Sequence, residues 1–95
     1  LRRLYNNELP FSERSLSIVK DIIIREQTPD YTLRAKTGWA GFGGSLAPQI
    51  GWYVGYLERD ENVYFFATNI DIVEEKDSAS RMELTRRCFE DLGLL

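Results

Sequence analysis

Lys36, Thr37 and Gly38 stand side by side in the stretch Arg34-Ala35-Lys36-Thr37-Gly38-Trp39, at the end of a strand-like run. A lysine and a hydroxyl beside a glycine can move a proton, hold an anionic ligand and let that ligand approach the backbone. The tripeptide alone is as consistent with a plain strand end carrying a solvated lysine. It is not a phosphate loop, which places Gly-Lys-Thr after a glycine spacer and opens a helix. Here the glycines come afterwards and lead to a strand. Gly41-Phe42-Gly43-Gly44 fails in the same way as a dinucleotide fingerprint, because Pro48 and a strand follow it. Arg81, in Ser78-Ala79-Ser80-Arg81-Met82-Glu83, is the second candidate. Its planar guanidinium suits two-pronged binding of a carboxylate. The plain alternative is a surface arginine in a first helical turn, where its charge opposes the positive end of the helix dipole.

Composition removes several chemistries. The 95 residues contain no histidine, which excludes Ser-His-Asp and Cys-His catalysis and most zinc sites, so no metal site is expected. The single cysteine, Cys88, allows no intrachain disulfide. The net charge is −3 and the basic residues are scattered, which argues against nucleic acid or an anionic membrane as partner. No apolar run approaches the roughly 20 residues that span a bilayer, and no export signal is legible in the opening residues.

The elements that must position these residues are readable from periodicity and capping. Leu1, Leu4 and Tyr5 predict the tail of a helix that Asn6-Asn7 and Pro10 end. Ser12 is a candidate N-cap for a helix over 13–26, with Leu16, Ile18, Val19, Ile22 and Ile23 forming a stripe packed on a core, closed by Thr28-Pro29-Asp30. Tyr31 to Lys36 alternates as a half-buried strand. Residues 39–49 read as a flexible glycine-rich connection. Residues 50–58 and 62–72 predict a hairpin turning at Arg59-Asp60-Glu61, apolar on both faces, with Trp52, Val54 and Tyr56 on one and Tyr53 and Leu57 on the other. Such strands need cover on both sides. After the charged loop Glu74-Glu75-Lys76-Asp77, Ser80 and Glu83 predict a capping box. Leu84, Cys88, Phe89 and Leu92 predict the buried stripe of that last helix, and Gly93 its stop. The expected fold class is α/β (α+β type), with three antiparallel strands and about three helices.

Read together, Lys36-Thr-Gly-Trp39, the strand Gly51-Trp-Tyr-Val-Gly-Tyr-Leu-Glu58 and the strand Phe65-Phe-Ala-Thr-Asn-Ile-Asp71 resemble the C-terminal part of class D (oxacillinase-type) serine β-lactamases. Lys-Thr-Gly is a recurring element of the penicillin-recognising serine enzymes. The resemblance runs from Leu4 to Leu95 and implies a β-lactamase/penicillin-binding transpeptidase-like fold. It implies that residues 1–95 are the C-terminal part of one catalytic domain. Lys36 would shuttle a proton and tune the electrostatics of acylation, and Thr37 would hydrogen-bond the substrate carboxylate. Gly38 would keep the strand edge clear, and Ala40 would line the substrate. The Trp39 backbone N–H would be an oxyanion-hole donor. Arg81 matches the family's carboxylate-binding arginine. Simple alternation puts Lys36 and Thr37 on opposite faces, so the site must follow the strand edge or a local twist.

The same comparison identifies two imitations. Ser17-Ile18-Val19-Lys20 spells the family's Ser-x-x-Lys, yet it lies too close to Lys36 and reads as helix surface. Tyr5-Asn6-Asn7 imitates the family's Tyr-Gly-Asn with the wrong middle residue. The nucleophilic serine and the lysine that the family carbamylates are therefore expected outside this chain, and no other cofactor is implied. The implied partners are a β-lactam substrate and the N-terminal part of the same domain; a homodimer is compatible with the resemblance. The implied location is periplasmic or secreted. A β-lactam sensor domain that stays acylated, and a small non-catalytic binding module, are the rival readings. Alone, the chain is expected to be inactive and poorly soluble, since its last strand leaves an apolar edge.

Overall fold

The computed structural model describes residues 1–41 and 49–95. The connection expected over 39–49, including the failed fingerprint at Gly41-Phe42-Gly43-Gly44, therefore lies largely outside the described residues. Element order is α1 (Arg2–Tyr5), α2 (Glu13–Ile22), β1 (Ile24–Gln27), β2 (Tyr31–Ala40), β3 (Gln49–Arg59), β4 (Asn62–Ile72), a 3-10 turn (Glu75–Ala79) and α3 (Ser80–Asp91). The sheet has four antiparallel strands in the order β1-β2-β3-β4, one more than the three expected. The chain divides into two compact units, Leu1–Lys36 with Gly55–Phe66, and Thr37–Val54 with Ala67–Leu95.

In the first unit, Ser12 caps α2 as expected, its hydroxyl accepting from the Ser15 N–H at 3.1 Å. The helix then stops at Ile22, four residues short of the prediction. Ile24 to Gln27 instead pair with β2, Ile24 opposite Arg34 and Gln27 opposite Thr32, with a bulge between Ile24 and Glu26. The cause is local. Ile22-Ile23-Ile24 is a β-branched run that favours the extended chain. Thr28-Pro29-Asp30 is then not a helix end but the β1–β2 turn, where the Thr28 hydroxyl accepts from the N–H groups of Asp30 and Tyr31 at 3.1 Å each. The stripe expected on α2 is mostly uncovered. Leu16 is buried, but Ile18, Val19 and Ile22 are exposed.

The core of this unit is aromatic. Tyr5 meets Tyr56 edge-on at 5.4 Å and Phe65 at 5.8 Å. Burial pushes the Tyr56 phenol above its ordinary range, partly offset by the Arg34 guanidinium. Arg34 forms an ion pair with Glu58 and donates from Nε to the Lys20 carbonyl at 3.0 Å. Lys20 in turn donates to the Tyr5 carbonyl at 3.1 Å and to Asn7 Oδ1 at 2.7 Å, closing the end of α1. Asn7 sits at φ 58°, so Tyr5-Asn6-Asn7 is the helix exit read from the sequence. The β3–β4 hairpin closes on Asp60 and Glu61, both at positive φ (52° and 66°), a two-residue turn whose twist matches that of its strands.

In the second unit, the 3-10 turn carries the capping box. The Glu74 side chain and Asp77 exchange side-chain-to-backbone bonds around it, whereas the N-cap residue of α3, Ala79, makes no side-chain cap. The box expected at Ser80 and Glu83 is thus displaced to the preceding turn, which enters α3 directly and leaves Ser80 no capping duty. The stripe expected on α3 is also displaced. Phe89 is buried as expected, but Leu84, Leu92 and Cys88 are exposed, and Arg81 and Thr85 are buried beside Phe89 instead. Beyond Leu92, Gly93 at φ 76° ends the helix as predicted, with the Leu94 N–H on the Phe89 carbonyl and the Gly93 N–H on the Glu90 carbonyl.

Asp77 makes one pH-dependent contribution. Backbone N–H bonds from Glu74 and Val73, at 2.9 and 3.1 Å, hold its carboxyl below the ordinary value. A depressed folded pKa gives stability that is present above the unfolded pKa and is lost as pH falls through the folded one. Amide exchange at Val73 and Glu74 is therefore expected to accelerate as pH falls below about 4 relative to intrinsic rates. An unchanged protection factor down to full protonation would exclude the carboxylate as the anchor.

Candidate functional site

The alternation of β2 carries Leu33 and Ala35 inward and leaves Lys36 exposed. It then breaks. Thr37, Gly38 and Trp39 are half-buried in succession and Ala40 is exposed. This loss of alternation falls where sequence reasoning required an edge or a twist. Lys36 ends the first unit, and the remaining candidates all belong to the second.

Within that second unit the structure brings Arg81 onto the Gly38 carbonyl. Arg81 Nη1 donates to it at 2.6 Å, a short bond of the charge-assisted kind. Arg81 is 9% exposed, so the reading of an ordinary surface arginine is wrong. Its Nε is buried without a hydrogen-bond partner among the described residues, so the guanidinium keeps a donor uncommitted. Packing sets the aliphatic stem. Gly51 leaves room there, since a Cβ at that position would come within 2.7 Å of Ile72 Cδ1 and 3.4 Å of Arg81 Cδ.

Two residues that sequence reasoning passed over complete the seat. The Thr85 hydroxyl donates to the Arg81 carbonyl at 2.8 Å. The Thr68 hydroxyl lies 2.6 Å from that of Thr85. Thr85 has one hydroxyl proton and spends it on Arg81, so Thr68 is the donor of this second bond. The available signal was the spacing. Arg81, Thr85 and Phe89 lie four residues apart on one helix face.

At the strand ends, Trp39 Nε1 donates to Gln49 Oε1 at 2.8 Å, tying β2 to β3 on either side of residues 42–48. Among the described residues no group of three His, Cys, Asp or Glu could hold a metal. No described helix is long and apolar enough to cross a membrane. A polar groove of about 280 Å3 beside the 58–62 turn contains none of the candidate residues. Ser17 is exposed, and Lys20 is committed to α1.

Known proteins resemble this chain in sequence and fold. Residues 2–90 match the penicillin binding protein transpeptidase domain. β-Lactamase OXA-5 of Pseudomonas aeruginosa is 39% identical over 95 residues, which is 100% of this chain and 36% of that protein. β-Lactamase OXA-48 of Klebsiella pneumoniae is 44% identical over 90 residues, 95% of this chain and 33% of that one. A crystal structure of a class D β-lactamase from Nostoc matches with a TM-score of 0.91 at 59% identity, over 100% of this chain and 38% of the other. One from Sebaldella termitidis matches at 0.85 and 46%, again over 100% of this chain and 39% of the other. The chain spans 36% and 33% of the length of the two curated relatives. The match over residues 2–90, with Lys36-Thr37-Gly38 and Arg81 inside it, shows that the chain belongs to the penicillin-binding transpeptidase family, with class D β-lactamases as its relatives.

Proposed function

We propose that residues 1–95 are the C-terminal part of a single serine β-lactamase domain of class D and form one wall of its active site. The observation that carries this reading is the buried Arg81 seated on the Gly38 carbonyl, which joins two candidates 43 residues apart in sequence. A serine outside this chain attacks the β-lactam carbonyl, and the ring C–N bond breaks as the nitrogen takes a proton. Water then hydrolyses the ester and releases the ring-opened acid. The carbamylated lysine that activates the serine also lies outside this chain.

This segment contributes recognition and electrostatics. Thr37 and the Arg81 guanidinium take the substrate carboxylate. Gly38 and Ala40 keep the strand edge open. The Trp39 N–H receives the oxyanion, and Lys36 relays a proton at the serine or the leaving nitrogen. The exposed face of α2 and the outer edge of β4 are covered by the rest of the domain. Its place of work is the periplasm or the outside of the cell, and its effect there is antibiotic resistance.

The complete domain tests this. Fluorescent penicillin is expected to label it and then be released with turnover. Stable labelling without release would favour a β-lactam sensor, and no labelling would reject both. Arg81→Ala is expected to raise KM for carboxylate-bearing β-lactams by about 10- to 100-fold, the scale of a lost charged hydrogen bond. The same rise in KM for a substrate whose carboxylate is esterified would show that carboxylate binding is not what Arg81 provides.

A further inference from the structure

Arg81 touches a particular carbonyl. Gly38 C=O and Trp39 N–H are the two ends of one planar peptide group. Whatever fixes the carbonyl therefore fixes the plane in which the N–H lies. A cation on the carbonyl oxygen also draws electron density from the amide, which makes its N–H a stronger donor. The Arg81 bond, at 2.6 Å from a residue only 9% exposed, is placed to do both. Arg81 is itself held at its backbone, where its carbonyl accepts from Thr85, whose hydroxyl accepts from Thr68 on β4.

We propose that Arg81, seated by the Thr68–Thr85 hydroxyl relay, is a positioning residue that clamps the Gly38–Trp39 peptide from its carbonyl end. This inference rests on the reading of Trp39 N–H as an oxyanion donor. It gives Arg81 a task separate from carboxylate binding. It also gives a pair of hydroxyls, buried Thr85 on the helix and half-buried Thr68 on the strand, a role in the reaction. The relay suits a fixed seat. Thr85 is 4% exposed, so breaking it leaves a buried polar group unpaired, and the first turn of α3 resists moving.

The test uses the complete domain with 15N-labelled tryptophan. Arg81→Ala is expected to shift the amide nitrogen of Trp39 upfield, through loss of the bond to the preceding carbonyl. Thr85→Val is expected to shift it the same way to a smaller extent, and Thr85→Ser to restore it. In kinetics, Thr85→Val is expected to lower kcat about tenfold with KM changed little, for carboxylate and esterified substrates alike. A Trp39 nitrogen unmoved in Arg81→Ala overturns the clamp. One that moves in Arg81→Ala but not in Thr85→Val overturns the relay. If the wild-type domain turns over no β-lactam, the oxyanion reading falls, while the nitrogen shifts still decide the clamp.

Discussion

Gly55→Ala is expected to be the most damaging single substitution to the stability of the domain. An added Cβ would lie 2.0 Å from the Arg34 carbonyl oxygen, 2.7 Å from the Ala35 Cα and 2.8 Å from the Ala35 Cβ. The two nearest atoms are backbone of β2, so no side chain can swing aside. The strand itself would have to move. Moving it strains the Arg34–Glu58 ion pair, the Arg34 bond to Lys20 and the bond from the Ala35 N–H to the Ile23 carbonyl, all of which converge here. Overpacking into a well-filled interior costs about 1–3 kcal/mol and sometimes more; a backbone-to-backbone clash belongs at the top of that range. Thermal unfolding of the complete domain should show a fall of roughly 10 °C. Gly93→Ala is the useful contrast. Nothing lies within 4 Å of its Cβ, and only the positive φ of 76° opposes it, so a loss of about 1 kcal/mol is expected. A Gly55→Ala melt within a degree of wild type would mean that β2 and β3 are not held this closely.

The contrast between the two glycines shows what the sequence could and could not disclose. Gly93 followed an apolar helical pattern, and its role as a stop was legible from position. Gly55 looked like any other residue of an apolar strand, because the backbone that crosses it is set by tertiary packing. The hairpin 50–58 and 62–72 was legible almost to its ends, since two aromatic, β-branched runs flank a charged turn. Helix α3 was legible as a helix but not in its orientation. Apolar residues at 84, 88, 89 and 92 suggested one inward face; Phe89 is buried as expected, yet its buried companions are Arg81 and Thr85. Polar residues can point inward when their partners wait there, and those partners, Gly38 O and Thr68, come from strands far off in sequence. Strand β1 was hidden for the opposite reason. Its alternation of two half-buried and two exposed residues is short enough to be read as the last turn of α2. Lys36-Thr37-Gly38 stood out as a candidate only through its family resemblance. Spacing alone left it as consistent with a solvated strand end.

Lys36→Ala is expected to give the largest loss of activity with almost no loss of stability. Lys36 is exposed, and surface substitutions of this kind generally stay within about 0.5 kcal/mol. If it relays a proton during acylation, its removal should cost about 10²–10⁴ in the acylation rate, the range of positioned acid–base catalysis. Lys36→Arg separates the two components of its proposed role. A guanidinium keeps the positive charge but does not release a proton near neutral pH. A variant with arginine that stays slow assigns the loss to proton transfer, whereas recovery would assign it to the field at the serine. Full acylation by Lys36→Ala would remove the lysine from the reaction. The wall of the site would then consist of the Arg81-held peptide and Thr37 alone. That outcome would leave binding in this segment and move all of its proton chemistry to residues outside the chain.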